Sequence, residues 1–134
     1  MISSALIRLT KSPIRPETYR KTLEDPGSGG VALFEGRVRD DPGHHATRLY
    51  YEAYSPLALR ELERLSRQAA NRFGARRIVI VHRLGHLRTG EIAVFIGVAT
   101  AHRAKAFAAC RFLIDELKRR VPIWKTREES RTKR

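Results

Sequence analysis

Apolar residues recur at steps of three and four in two long stretches of the chain. In the first, Ala58, Leu62, Leu65, Ala69 and Phe73 line one side of a predicted amphipathic helix. Ser55 reads as its N-cap, Pro56 suits the first turn, and Gly74 closes it. Arg60, Glu63, Arg64 and Arg67 fall on the wetter side, with Glu63 and Arg67 spaced for an ion pair. In the second stretch Ala106, Cys110, Leu113 and Leu117 share a face, which Phe107 and Ile114 widen. This helix begins near Ala101 and stops before Pro122; Lys118, Arg119 and Arg120 close it and complement the negative pole of its dipole.

The remaining apolar runs have the rhythm of strands. Residues 77–83 form the strongest central-strand signal, and residues 92–100 are the expected hairpin partner, joined through turns at Leu84-Gly85-His86 and Thr89-Gly90-Glu91. Residues 31–39 start wholly apolar and then alternate, as a strand does on leaving the core for a rim, which sets Arg37 and Arg39 on one face at the exit. Residues 49–54 are expected to pair with that strand across the polar loop 40–47. Residues 2–10 suggest an edge strand, Pro13 and Pro16 open a short helix through Tyr19 and Leu23, and residues 25–30 form a turn. The sum is an α+β domain over residues 1–126, a mostly antiparallel sheet packed by two main helices, with a short charged tail at 127–134.

Composition changes this picture in one respect. The formal charge of +13 calls for anionic partners without choosing among nucleic acid, phosphorylated metabolites and acidic proteins. The arginines are spread along the chain, as on a solvated surface, so a nucleic-acid partner is not expected. No apolar run approaches the roughly 18 residues that span a bilayer, and Arg8 interrupts the N-terminal run, so neither membrane span nor signal peptide is expected and the cytoplasm is the default. The single cysteine, Cys110, fits a reducing compartment and a place in the core. His44-His45 lacks a third ligand, and the His82/His86 spacing falls on a strand and a glycine turn, so no metal site is expected and both pairs read as structural or solvated. Glu52, in a half-buried strand, is expected to pair with an arginine.

The segment Gly97–Lys125 concentrates the candidate chemistry. A strand gives way at Ala101-His102-Arg103 to a helix, so free N–H groups, an imidazole and a guanidinium converge on a place for a phosphate or carboxylate. Trp124-Lys125 follows on an extended stub seven residues beyond Lys118, so that two amines flank one pocket.

Phe34-x-Gly36-x-Val38-Arg39, Tyr51-Glu52-x-Tyr54, His82-Arg83-x-Gly85, Gly90-Glu91, Ala101-His102-Arg103 and Leu117-Lys118-x-x-x-Pro122-x-Trp124-Lys125, in this order and spacing, closely resemble the large, catalytic subunit of molybdopterin synthase, the MoaE family. The resemblance spans roughly residues 5–127 and implies an α/β-hammerhead fold and a central homodimer within a heterotetramer. It implies as substrate cyclic pyranopterin monophosphate, and as partner a small ubiquitin-like sulfur carrier ending in a Gly-Gly thiocarboxylate. The reaction is sulfur transfer that builds the dithiolene of molybdopterin. By the same carry-over Lys118 and Lys125 are catalytic, Arg39, His102 and Arg103 clamp the acidic pterin, and Phe34 and Ile114 line the channel. His102 and Arg103 would serve a site shared with the other protomer.

No resident cofactor or metal is implied, because molybdenum enters the pterin after this step. The family usually carries a longer tail with a further tryptophan, for which Arg127 and Arg131 are weak substitutes. The alternatives are a non-catalytic scaffold of the same family and a basic RNA-binding module. Single-strand binders stack bases on exposed aromatics, and aromatics here are 7% of residues and fall mostly in apolar runs.

Overall fold

Both periodic stretches fold as long helices in the computed structural model, which describes residues 4–43 and 47–128. In chain order the elements are β1 (Ser4–Thr10), α1 (Pro16–Arg20) with a 3-10 turn (Lys21–Leu23), β2 (Gly30–Arg37), β3 (Arg48–Ala53), α2 (Ser55–Phe73), β4 (Arg77–Arg83), β5 (Gly85–Arg88), β6 (Ile92–Thr100), α3 (Arg103–Arg120) and β7 (Ile123–Arg127). Gly74 ends α2 in the left-handed region at φ 70°, a conformation that costs glycine nothing. The N-cap of α2 is Tyr54, which makes no side-chain capping bond, and Ser55 is already helical. The acidic partner on the wet face of α2 is Glu61, paired with Arg64, where the spacing had pointed to Glu63 and Arg67.

The strands make two sheets rather than one. The larger has the order β1-β4-β6-β2, with β1 parallel to β4 and the other pairs antiparallel; the smaller has the order β5-β3-β7, antiparallel throughout. β4 and β6 pair as expected, and β1 is an edge strand. The expected pairing of residues 31–39 with 49–54 does not occur: β2 pairs with β6, and β3 pairs with β5 and β7. Burial explains the choice. All nine residues of β6 are buried, so its neighbours must offer apolar faces, as β2 does at Ala32 and Phe34. β3 keeps Glu52 in solvent and suits a sheet with one wet side. The link between β4 and β6, expected as two turns, instead folds out β5 to pair with β3.

One face of the large sheet is covered by α2 and α3, with Leu62, Leu65, Ala109 and Leu113 packed against Ile78, Ile80, Ile96 and Val98. On the other face Ile14, Tyr19 and Leu23 cover Val79, Val81 and Phe95. Cys110 lies in the first of these cores, and burial pushes its thiol up to about 11. Phe107, expected to widen the buried side of α3, is 68% exposed, because that side is narrow and runs through Ala106, Ala109, Cys110 and Leu113. Val31 and Leu33, read as core, are also exposed, since the short α1 segment does not reach over β2. Among the described residues no helix is long and apolar enough to cross a membrane.

The glycine turn before β2 has a packing role that its turn chemistry did not reveal. The Gly29 N–H donates to the Ala101 carbonyl, and a Cβ on Gly30 would sit 2.8 Å from the Arg103 Cα. The start of β2 therefore lies flush against the first turn of α3. A Gly30→Ala variant is expected to lose about 1–3 kcal/mol, the usual cost of overpacking against backbone; chemical denaturation showing unchanged stability would disprove this close fit.

Candidate active site

A cavity of about 640 Å³ opens where the C-terminal turns of α3 meet the ends of both sheets. Each wall follows from a local rule. Val121 and Pro122 end α3, with the Val121 N–H still donating to the Leu117 carbonyl at 3.1 Å, and the chain reverses into β7. β7 pairs with β3 so that Tyr51 faces Lys125 and Leu49 faces Arg127. Alternation turns these four toward the cavity, while on the opposite face Trp124 Nε1 donates to Glu52 at 2.9 Å. Tryptophan, rather than the expected arginine, is thus the partner of Glu52, and Trp124 also borders the cavity.

On the other side, β2 delivers Phe34 and then breaks register between Gly36 and Arg37. A Cβ on Gly36 would lie 2.7 Å from Val94 Cγ1, so the strand passes close to β6 there. The irregularity re-aims the chain, and both Arg37 and Arg39 border the cavity, in agreement with the sequence reading. α3 contributes Ile114, Leu117 and Lys118. Five of the seven residues singled out in the sequence are therefore together: Phe34, Arg39, Ile114, Lys118 and Lys125.

His102 and Arg103 are not with them. They occupy the N-terminal end of α3, roughly 22 Å from Lys118 along the helix axis at 1.5 Å per residue. Both are exposed there; His102 is the N-cap, makes no side-chain capping bond, and its carbonyl accepts from the Thr100 hydroxyl at 2.6 Å.

Charge in the cavity is one-sided. Arg37, Arg39, Lys118, Lys125 and Arg127 border it against a single carboxylate, Asp41, which forms a close ion pair with Arg127. Arg37 is tied to Glu35 at 2.8 Å and to the Gly90 carbonyl at 3.0 Å. Among the described residues Arg39, Lys118 and Lys125 make no ion pair, and all three are exposed. A concave surface with unneutralised cations concentrates small anions.

His82 and Tyr51 were not read as site residues, yet both border the cavity. His82 shares a face of the large sheet with Ile80 and Val94, at the end where the helices give way to the small sheet. It is 5% exposed, its Nδ1–H donates to the Arg83 carbonyl at 2.8 Å, and the Tyr51 ring meets it edge-on at 5.0 Å. A histidine followed by arginine within an apolar strand was the available signal; its strand setting argued for a structural role. Burial raises the Tyr51 hydroxyl above its ordinary value of 10.0. His86 lies apart, paired with Glu128 and against the ring of Tyr50, so Glu128, assigned to the tail, meets the small sheet. His44 and His45 lie outside the described residues.

The fold thus carries a concave basic surface of the kind that concentrates small anions. The chain matches the family model described as MoaE protein over residues 9–120, and it belongs to that family. It is similar to molybdopterin synthase catalytic subunit 1 of Mycobacterium tuberculosis, at 41% identity over 88% of this chain and 81% of the relative. It is also similar to the molybdopterin synthase catalytic subunit of Pyrococcus abyssi, at 42% identity over 77% and 70% of the two chains. The crystal structure of molybdopterin synthase from Staphylococcus aureus superposes with a TM-score of 0.86 at 34% identity, covering 92% of this chain and 91% of that one.

His82 also predicts how stability depends on pH. Burial holds its imidazole below the ordinary 6.5, outweighing the carbonyl hydrogen bond that pulls the other way. The unfolded chain therefore takes up this proton at a higher pH than the folded one, and stability present above 6.5 is lost as pH falls through that value toward the folded one. Glu91 and Asp25, held below the usual carboxylate range chiefly by hydrogen bonds from Arg83 and Arg76, contribute losses only at lower pH. Unfolding free energy measured between about pH 7 and pH 5 should decline in the wild type and decline less in His82→Gln; identical slopes would contradict the assignment.

Proposed function

We propose that the chain works as the catalytic subunit of molybdopterin synthase, converting cyclic pyranopterin monophosphate to molybdopterin. The observation that carries the reading is the meeting of Lys118, Lys125 and Arg39 in one cavity with no carboxylate partner among the described residues. A phosphorylated pterin supplies the missing negative charge, and arginine holds such oxygens bidentately. Sulfur arrives on the C-terminal thiocarboxylate of a small ubiquitin-like carrier, whose extended tail enters the cavity mouth beside Trp124. The term "catalytic subunit" in the relatives' names supports the existence of such a partner.

Each transfer forms a bond between the carrier's sulfur and a substrate carbon while that carbon's bond to an oxygen breaks, the oxygen leaving with the electron pair as a phosphate oxygen or, once protonated, as water. Water then adds to the carrier's terminal carbonyl, the carbonyl carbon–sulfur bond breaks with its electron pair staying on sulfur, and the carrier leaves as a carboxylate. An oxyanion develops during that addition. Lys118, on the last turns of α3, is the ammonium placed to stabilise it and to exchange protons with the reacting groups, with Lys125 supporting it across the cavity. Phe34 and Ile114 give the pterin apolar walls. His102 and Arg103, at the far end of α3, serve the cavity of a second copy, so the working unit is a homodimer with a carrier on each side. The cytoplasm, where thiols stay reduced, is the compartment that suits the single buried cysteine.

A purified chain mixed with thiocarboxylated carrier and cyclic pyranopterin monophosphate should form dithiolene. Lys118→Ala should slow that step by about 10²–10⁴-fold, the range for a positioned acid–base group, while carrier binding persists. Arg39→Ala should act mainly by raising KM for the pterin. A folded Lys118→Ala protein that forms dithiolene at the wild-type rate would refute the assignment.

A further inference from the structure

The charged groups of the cavity are as one-sided in hydrogen bonding as they are in charge. Arginine and lysine side chains are donors only, and the Asp41 carboxylate is taken up by Arg127. Donors of this kind grip a phosphate or carboxylate, but they grip those groups on any metabolite of suitable size. They leave the ring system unread.

His82 supplies what they lack. A carbonyl only accepts, so the 2.8 Å contact with the Arg83 oxygen places the hydrogen on Nδ1 and leaves the Nε2 lone pair free to accept. Nε2 takes no hydrogen bond among the described residues. Nor is it one of the buried side-chain atoms that are sealed from solvent and make no hydrogen bond, which among the described residues are Thr47 Oγ1, Arg77 Nε and Arg120 Nε. The small accessible surface of the ring therefore opens on the cavity it borders. Two contacts fix its orientation, the Arg83 carbonyl and the edge-on Tyr51 ring at 5.0 Å. Phe34, Val94 and Ile114 add apolar walls that suit a flat, fused ring.

We infer that His82 is a substrate-selecting residue, its Nε2 accepting a hydrogen bond from a ring N–H of the bound heterocycle while the cations hold the acidic groups. This inference rests on the reading of the chain as a pterin-using sulfurtransferase. A site built to accept from an N–H rejects analogues without one far more sharply than an apolar wall does. His82 then separates the pterin from other phosphorylated molecules that the basic cavity attracts.

The test compares wild type, His82→Leu and His82→Gln as full chains with the carrier present. Affinity for cyclic pyranopterin monophosphate and, separately, for inorganic phosphate is measured by calorimetry, and dithiolene formation by steady-state kinetics. Loss of one neutral hydrogen bond should weaken pterin binding and raise KM by roughly 3–10-fold in His82→Leu, with kcat within about twofold and phosphate affinity unchanged. His82→Gln, which keeps an acceptor oxygen, should recover most of the loss. Should the leucine variant fold poorly, wild-type protein labelled with ¹⁵N-histidine gives the same answer: the unprotonated Nε2 resonance should shift on adding the pterin and stay in place on adding phosphate. Equal pterin affinity in wild type and His82→Leu, equal losses in both variants, or an unmoved Nε2 resonance would overturn the inference alone. Wild-type protein that binds no pterin would overturn the functional reading with it.

Discussion

The pairing of β7 with β3 is the contact on which the site depends. Without it the small sheet would be reduced to β5 and β3, and the chain beyond α3 would not return along the cavity. Because the strand doubles back beneath the last turn of α3, Lys125 comes to face the same space as Lys118 although seven residues separate them in sequence. The reversal itself is local, since Pro122 cannot continue the helix and favours an extended residue before it. Local stiffness and cross-strand register together build the cavity.

The electrostatics then follow from what the fold leaves unpaired. Elsewhere on the surface arginines meet carboxylates, as Arg64 meets Glu61, Arg111 meets Asp115 and Arg119 meets Glu116. Such exposed pairs contribute little to stability, but they keep the local field small. In the cavity the pattern is reversed: one carboxylate serves one arginine, and two lysines and Arg39 are left over. The formal charge of +13 is thus an unspecific property of the whole surface, and the cavity gathers a small fraction of it in a concave place with little counter-charge.

Much of this was legible in the sequence, where one residue's neighbours decide its state. Helical period gave α2 to its last residue, and proline and charge marked the end of α3. Pairing across long separations was harder. Residues 31–39 and 49–54 are close in sequence and both strand-like, so a hairpin was the economical expectation; the fully buried β6 competes for β2 and wins because it offers more apolar contact. Spacing set Lys118 and Lys125 beside one pocket and alternation set Arg39 at a strand's exit, because charged residues at element ends are conspicuous; their roles came from the family resemblance. His82 was missed for the opposite reason: within a run such as Ile80-Val81-His82 a single imidazole reads as core, and only the second sheet, which ends opposite it, shows that the core stops there. The failures at Phe107, Val31 and Leu33 share one cause, since periodicity marks a face as apolar without saying what covers it.

The first turn of α3 and its last are linked in a way that concerns change in the chain over time. Eighteen residues of unbroken helix carry His102 and Arg103 at one end and Lys118 at the other. Each residue added or removed between them would rotate one end against the other by about 100° as well as shift it. The helix therefore acts as a phase as much as a length, and only changes near whole turns keep both ends aimed as they are.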